Sequence, residues 1–85
     1  MKRLYKNKAM RYVAMDNGLQ VGAKVAIHYR ALLQNLEYIT REIVNAKVIK
    51  LYPYMFECET STGQRECFRY NEFLGDEHTL VVLRK

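Results

Sequence analysis

Residues 54–70, YMFECETSTGQRECFRY, decide the fold class. Tyr54, Phe56 and Cys58 alternate with Met55, Glu57 and Glu59, the period of two of a strand with one buried face. Thr60-Ser61-Thr62-Gly63-Gln64 supplies the turn, with Gly63 free to take a positive φ. Arg65–Tyr70 returns as a second strand with Phe68 and Tyr70 on the core side. This is a β-hairpin, and the flanking segments extend it.

On the N-terminal side, Ile43–Tyr52 is β-rich, with Val44, Ala46 and Val48 on one face. The adjacent pair Val48-Ile49 breaks the alternation before Leu51, which predicts a bulge or bend. Pro53 lacks a backbone donor and belongs at the start or edge of a strand. Earlier still, Val25, Ile27 and Tyr29 alternate with Lys24, Ala26, His28 and Arg30 as another half-buried strand. On the C-terminal side, Asn71–Gly75 suits one 3₁₀ turn, and Thr79–Leu83 closes the chain as a last strand.

Two segments stay ambiguous. Leu32, Leu36, Ile39 and Ile43 stand at helical spacing, whereas Tyr38-Ile39-Thr40 and Ile43-Val44 favour a strand, so residues 31–43 read as helix, loop or strand. Leu4–Met15 holds neither Gly nor Pro and reads as a short helix capped by Gly18, or as a flexible basic arm. The order of elements describes a mainly β protein, a small SH3-like five-stranded barrel with one 3₁₀ turn before its last strand. Its predicted parts are a basic N-terminal helix or arm over 1–20 and the β-barrel domain over 21–85. An α+β fold with a helix over Leu32–Ile43 is the alternative. The predicted core is Val25, Ile27, Val48, Leu51, Phe56, Cys58, Phe68, Leu74 and Leu80.

The run Ala46-Lys47-Val48-Ile49-Lys50-Leu51-Tyr52-Pro53-Tyr54-Met55-Phe56 resembles the centre of the Veg family of small Gram-positive bacterial proteins, where a strand leads into a Tyr-Pro step and an aromatic. Arg65-Glu66-Cys67-Phe68-Arg69-Tyr70-Asn71-Glu72-Phe73-Leu74 is similar to the family's second part, and the resemblance spans roughly residues 42–83. Gly22-Ala23-Lys24-Val25 is a weaker match to the first-strand entry. The family's Gly- and Arg/Lys-rich loop after the first strand is replaced by Ala31-Leu32-Leu33-Gln34-Asn35-Leu36-Glu37-Tyr38, so a basic loop surface does not carry over. The resemblance implies a compact SH3-like β-domain of bacterial or mobile-element origin, without established catalytic chemistry.

Charge is distributed unevenly. Residues 1–30 carry Lys2, Arg3, Lys6, Lys8, Arg11, Lys24 and Arg30 against Asp16 alone, a local +6 within a chain of net +5. Such asymmetry favours an anionic contact. The candidate nucleic-acid contacts are those seven cations with His28, and with Tyr52 and Tyr54, whose rings flank Pro53 and are available to stack on bases. The bland reading is a solubilising tail and two tyrosines that pack the barrel. Leu32, Leu33, Leu36 and Ile39 exceed what a minimal barrel needs, and either cover a barrel end or form a self-association surface.

The 85 residues fit one domain, and two cysteines with two distant histidines do not make a zinc site. His28 and His78 have no adjacent nucleophile at a telling spacing, and the glycines at 18, 22, 63 and 75 are too scattered for a phosphate loop. No catalytic residue, cofactor or metal is expected. Cys58 and Cys67 read as free thiols on opposite strand faces. The basic N-terminus has no apolar segment after it, and the aliphatic run Leu80–Leu83 is far short of a membrane span, so a cytoplasmic protein without integral membrane association is expected. The reading of function is a non-catalytic binding or regulatory domain with a protein partner or a homodimer contact. Non-specific nucleic-acid binding through the basic N-terminal segment is the alternative.

Overall fold

Phe56 faces Phe68 across the hairpin predicted for residues 54–70, and both rings are buried. The computed structural model describes residues 6–75 and 79–84, with only the backbone of residues 6–9. Its elements are a helix α1 (Lys6–Asp16), strands β1 (Lys24–Leu32), β2 (Tyr38–Leu51), β3 (Met55–Thr60) and β4 (Arg65–Arg69), a short helix α2 (Asn71–Leu74), and β5 (Thr79–Leu83). All five strands join one antiparallel sheet in the order β4-β3-β2-β1-β5. The protein is mainly β, as expected.

The ladder bonds among the described residues do not join β4 to β5, so the sheet is open at that seam rather than hydrogen-bonded into a closed barrel. It is nevertheless strongly curled. The Tyr29 hydroxyl on β1 donates to Glu66 on β4 at 2.5 Å, although two strands lie between them. A flat sheet would hold those strands about 14 Å apart. The predicted bulge is present as the register shift between Val48 and Lys50. A second shift, opposite Tyr29 and Arg30, leaves Arg41 as an extra residue on β2. Bulges raise local twist and bend, which the curl requires.

The inner face buries Val25, Ile27, Ala46, Val48, Phe56, Cys58, Phe68, Tyr70 and Val81. Tyr70 stacks 5.5 Å from Phe56 and donates its hydroxyl to the Tyr52 carbonyl at 2.5 Å, satisfying its one polar atom. Of the predicted core, Leu51 and Leu74 are half-buried partners of this cluster. Leu80 lies on the outer face opposite His28, because its neighbour Val81 takes the inner position opposite Ile27.

Leu4 and Tyr5 of the predicted N-terminal segment lie outside the described residues, while residues 6–16 form a helix whose Ala14 joins the core. Gly18 (φ 99°) ends it: its N–H donates to Met15 O and the Leu19 N–H donates to Ala14 O, both at 3.0 Å. This is a Schellman cap, and its usual hydrophobic contact is made by Ala14 and Leu19, both fully buried. Residues 31–43 form no helix. β1 runs on to Leu32, a turn over 33–37 follows, and β2 begins at Tyr38. The β-branched residues at 39, 40, 43 and 44 prevail over the helical spacing of the leucines. Tyr54, expected to face inward, is 53% exposed, because β3 begins at Met55 after the bend at Pro53. The single turn after β4 is α-helical rather than 3₁₀, with the Gly75 N–H returning to Asn71 O.

Candidate functional site

The longest hairpin, β1–β2, outruns its neighbours. β5 accompanies β1 only over Val25–Tyr29, and β3 accompanies β2 only over Ala46–Leu51. From Arg30 to Glu42 the chain is therefore a two-stranded arm, paired Arg30–Thr40, Ala31–Ile39 and Leu32–Tyr38. The protein's radius of gyration is 13.3 Å, against about 12 Å for a compact chain of this length, in keeping with a projecting element.

The arm is apolar where it meets solvent. Leu32, Leu33 and Ile39 are exposed, Leu36 at its tip is 78% exposed, and Ile43 at its base is 56% exposed. The tip is well defined. The Leu33 N–H donates to Glu37 O at 2.7 Å, and the Asn35 side chain both donates to and accepts from Glu37. Leu36 holds a φ of 66°, a left-handed conformation that costs a non-glycine residue about 1–2 kcal/mol. A strained backbone thus presents a bulky apolar side chain to water. Arg30 lies over the Tyr38 ring at 4.7 Å, bracing one face of the arm. The four residues anticipated from sequence as a self-association surface, Leu32, Leu33, Leu36 and Ile39, all lie on the arm and are exposed, with Leu32 beside Tyr38 on one face and Ile39 beside Ala31 on the other. Ile43 and Tyr38 complete the arm. The extra residue Arg41 brings these two to the same face although they are five positions apart, so their spacing gave no signal of it.

Among the described residues, the candidate nucleic-acid contacts do not form one surface. Of these, Lys2 and Arg3 lie outside the described residues, as does the loop residue His78, which is not one of the candidates, and Lys6 and Lys8 belong to α1, with only their backbone described. Arg11 donates to the Tyr12 hydroxyl at 3.2 Å and stacks on its ring. His28 is half-buried between Ile43 and Leu80, and Arg30 is engaged with Tyr38. Tyr52 is half-buried, with Lys50 Nζ 4.9 Å from its ring centre, and Tyr54 is exposed on the bend after β2. Lys24 is exposed on the outer face, where the register sets it opposite Lys47 and the Arg84 N–H donates to its carbonyl. Sequence reading passed over Lys47 and Arg84, since only strand pairing brings them to Lys24.

The perturbed groups serve packing. Burial, then the hydrogen bond to Glu66, then the charges of Glu66 and Glu42 raise the Tyr29 hydroxyl above its ordinary value. Burial pushes the Cys58 thiol up to about 12, with neighbouring Cys67, Glu66 and Glu57 adding to the effect. Burial raises Tyr70, and the Arg11 charge opposes it. Cys58 is buried and Cys67 exposed, both free, on opposite faces as the alternation predicts. A thiol whose anion is disfavoured is a poor nucleophile. Among the described residues no three His, Cys, Asp or Glu side chains are placed to hold a metal, and no helix is long and apolar enough to cross a membrane. No family model, curated protein or solved structure matches this chain.

Proposed function

We propose that the protein is a small non-catalytic binding domain that associates with a second copy of itself through the β1–β2 arm. The observation that carries this reading is the arm's uncovered apolar surface on a two-stranded projection. A two-stranded hairpin alone is marginally stable in water, and a third strand or a packed face is what normally secures it. Here five large aliphatic side chains on or beside the arm have no such cover.

A second copy suits the charge pattern. Residues 30–43 carry Arg30 and Arg41 against Glu37 and Glu42, so the arm is neutral while the rest of the chain carries the whole +5. Two like-charged copies meet with least repulsion at the arm. The likeness of residues 42–83 to the Veg family, and a cytoplasmic, bacterial or phage-type setting, belong to the same proposal and add no partner.

Size-exclusion chromatography with light scattering tests it. The intact protein is expected to move from monomer towards dimer as concentration rises, and the double variant Leu36→Asp/Ile39→Asp to stay monomeric with an unchanged circular dichroism spectrum. A strictly monomeric parent at several hundred micromolar, or a dimer untouched by the double variant, overturns the proposal.

A further inference from the structure

The outer face of the sheet has a cationic end, separate from the arm. Lys24 on β1 stands directly opposite Lys47 on β2, and Arg84, just past β5, continues the row on the other side of Lys24. All three are exposed, and none has a carboxylate partner among the described residues. Beyond Lys47 the row runs to Glu59 on β3 and Arg65 on β4, and these two face each other as an ion pair at 3.6 Å. The one acid in the row is thus shared with a cation of its own. Like charges directly opposed on neighbouring strands destabilise a sheet. Here that arrangement extends over three adjacent strands, about 10 Å across.

The row borders a groove of about 320 Å³ that also takes in Asn45, Thr60, Ser61 and the carboxylate of Glu59, which is ion-paired to Arg65, and no large apolar side chain lines it. An amide and a hydroxyl beside three cations are hydrogen-bond donors suited to phosphate oxygens. A nucleic-acid strand presents one negative charge per about 3.4 Å of axis, so the width of the row matches two or three successive phosphates. The absence of an aliphatic or aromatic wedge disfavours a lipid surface, which needs apolar insertion for stable binding.

We propose that Lys24, Lys47 and Arg84 form a sequence-independent binding site for the phosphodiester backbone of nucleic acid. The site reads charge and spacing, and contacts no base. It does not depend on the arm.

The test is fluorescence anisotropy of labelled 20-nucleotide single strands and duplexes against the full chain, in salt from 50 to 300 mM. The triple variant Lys24→Gln/Lys47→Gln/Arg84→Gln is expected to bind at least ten-fold more weakly at 50 mM. Its slope of log affinity against log salt should fall by about 2 for a single strand and by nearly 3 for a duplex, at roughly 0.7 and 0.9 per phosphate contact. A control with equal charge loss elsewhere, Arg41→Gln/Lys50→Gln/Arg69→Gln, is expected to lose less than three-fold. The row variant should melt no lower than the parent, since it relieves repulsion. Equal losses in the two triple variants, no binding by the intact chain at 50 mM, or tighter binding to polyglutamate or to phosphatidylserine vesicles overturns the proposal. Binding that survives Leu36→Asp/Ile39→Asp separates this site from the arm.

Discussion

Tyr29 and Glu66 are joined by a 2.5 Å hydrogen bond between strands that are not neighbours in the sheet. The ladder itself leaves the sheet open between β4 and β5, so this bond is a cross-link that fixes how tightly β1–β4 curl. Its donor is a hydroxyl whose proton is held more firmly in the folded protein than in the unfolded chain.

Tyr29→Phe is therefore expected to cost about 1 kcal/mol, the net worth of one hydrogen bond, measured by urea unfolding at pH 7. Because the folded value of Tyr29 is raised, its contribution is fully present below the ordinary tyrosine value and is lost as pH rises from there through the folded value. The gap between parent and variant should shrink above about pH 10. A gap that widens at high pH contradicts the assignment.

Cys58 follows the same sign. Its folded value of about 12 lies above that of a free thiol, so the burial of the neutral thiol contributes stability below about pH 8.5 that is lost as pH rises towards 12. In the native protein at pH 8, Cys67 should be modified by a thiol reagent at a rate near that of a free peptide, and Cys58 only on unfolding. Equal native rates, or a peptide cross-linked through both sulfurs, would contradict the opposite-face placement.

Phe56 is fully buried, with ring centres 5.8 Å from Phe68 and 5.5 Å from Tyr70. Phe56→Ala is expected to cost about 3–5 kcal/mol, a large fraction of what a domain this small has. A melt within a few degrees of the parent midpoint is the contrary result.

Gly18 has a φ of 99°, and a Cβ there would lie 2.8 Å from Leu83 Cδ1. Gly18→Ala is expected to cost at least about 1–2 kcal/mol, from the left-handed backbone and the contact with Leu83, and Gly18→Asn, which eases the first but carries the same Cβ, should also melt below the parent. The thermal midpoints of the two variants and the parent check this.

The hairpin over 54–70, the bulge at Val48–Lys50 and the outward Cys67 were legible because each rests on a local alternation that burial enforces. The extent of β1 and β2 was not. Leu32, Leu36 and Ile39 carry a helical spacing that competes with the β-branched residues around them, and the pairing of Leu32 with Tyr38, which is not local information, settles the contest. Leu80 misled for a related reason: in a run of four aliphatic residues, only the register of Ile27 with Val81 says which two face inward. Among site residues, the apolar arm was visible as an excess of leucine. The row of Lys24, Lys47 and Arg84 was hidden, since its members are remote in sequence.

The register also fixes an order of events. β1 to β4 are a meander in which each strand pairs with the next, so they zip by short loop closures. β5 pairs with β1 across nearly the whole length of the domain, Val25 with Leu83. Loop-closure entropy grows with such separation and is met before the contacts repay it. The last strand therefore docks last. Pulsed hydrogen exchange during refolding should protect amides of Met55–Arg69 ahead of those of Thr79–Leu83, and until β5 arrives the edge of β1 stays open to a second chain's strand.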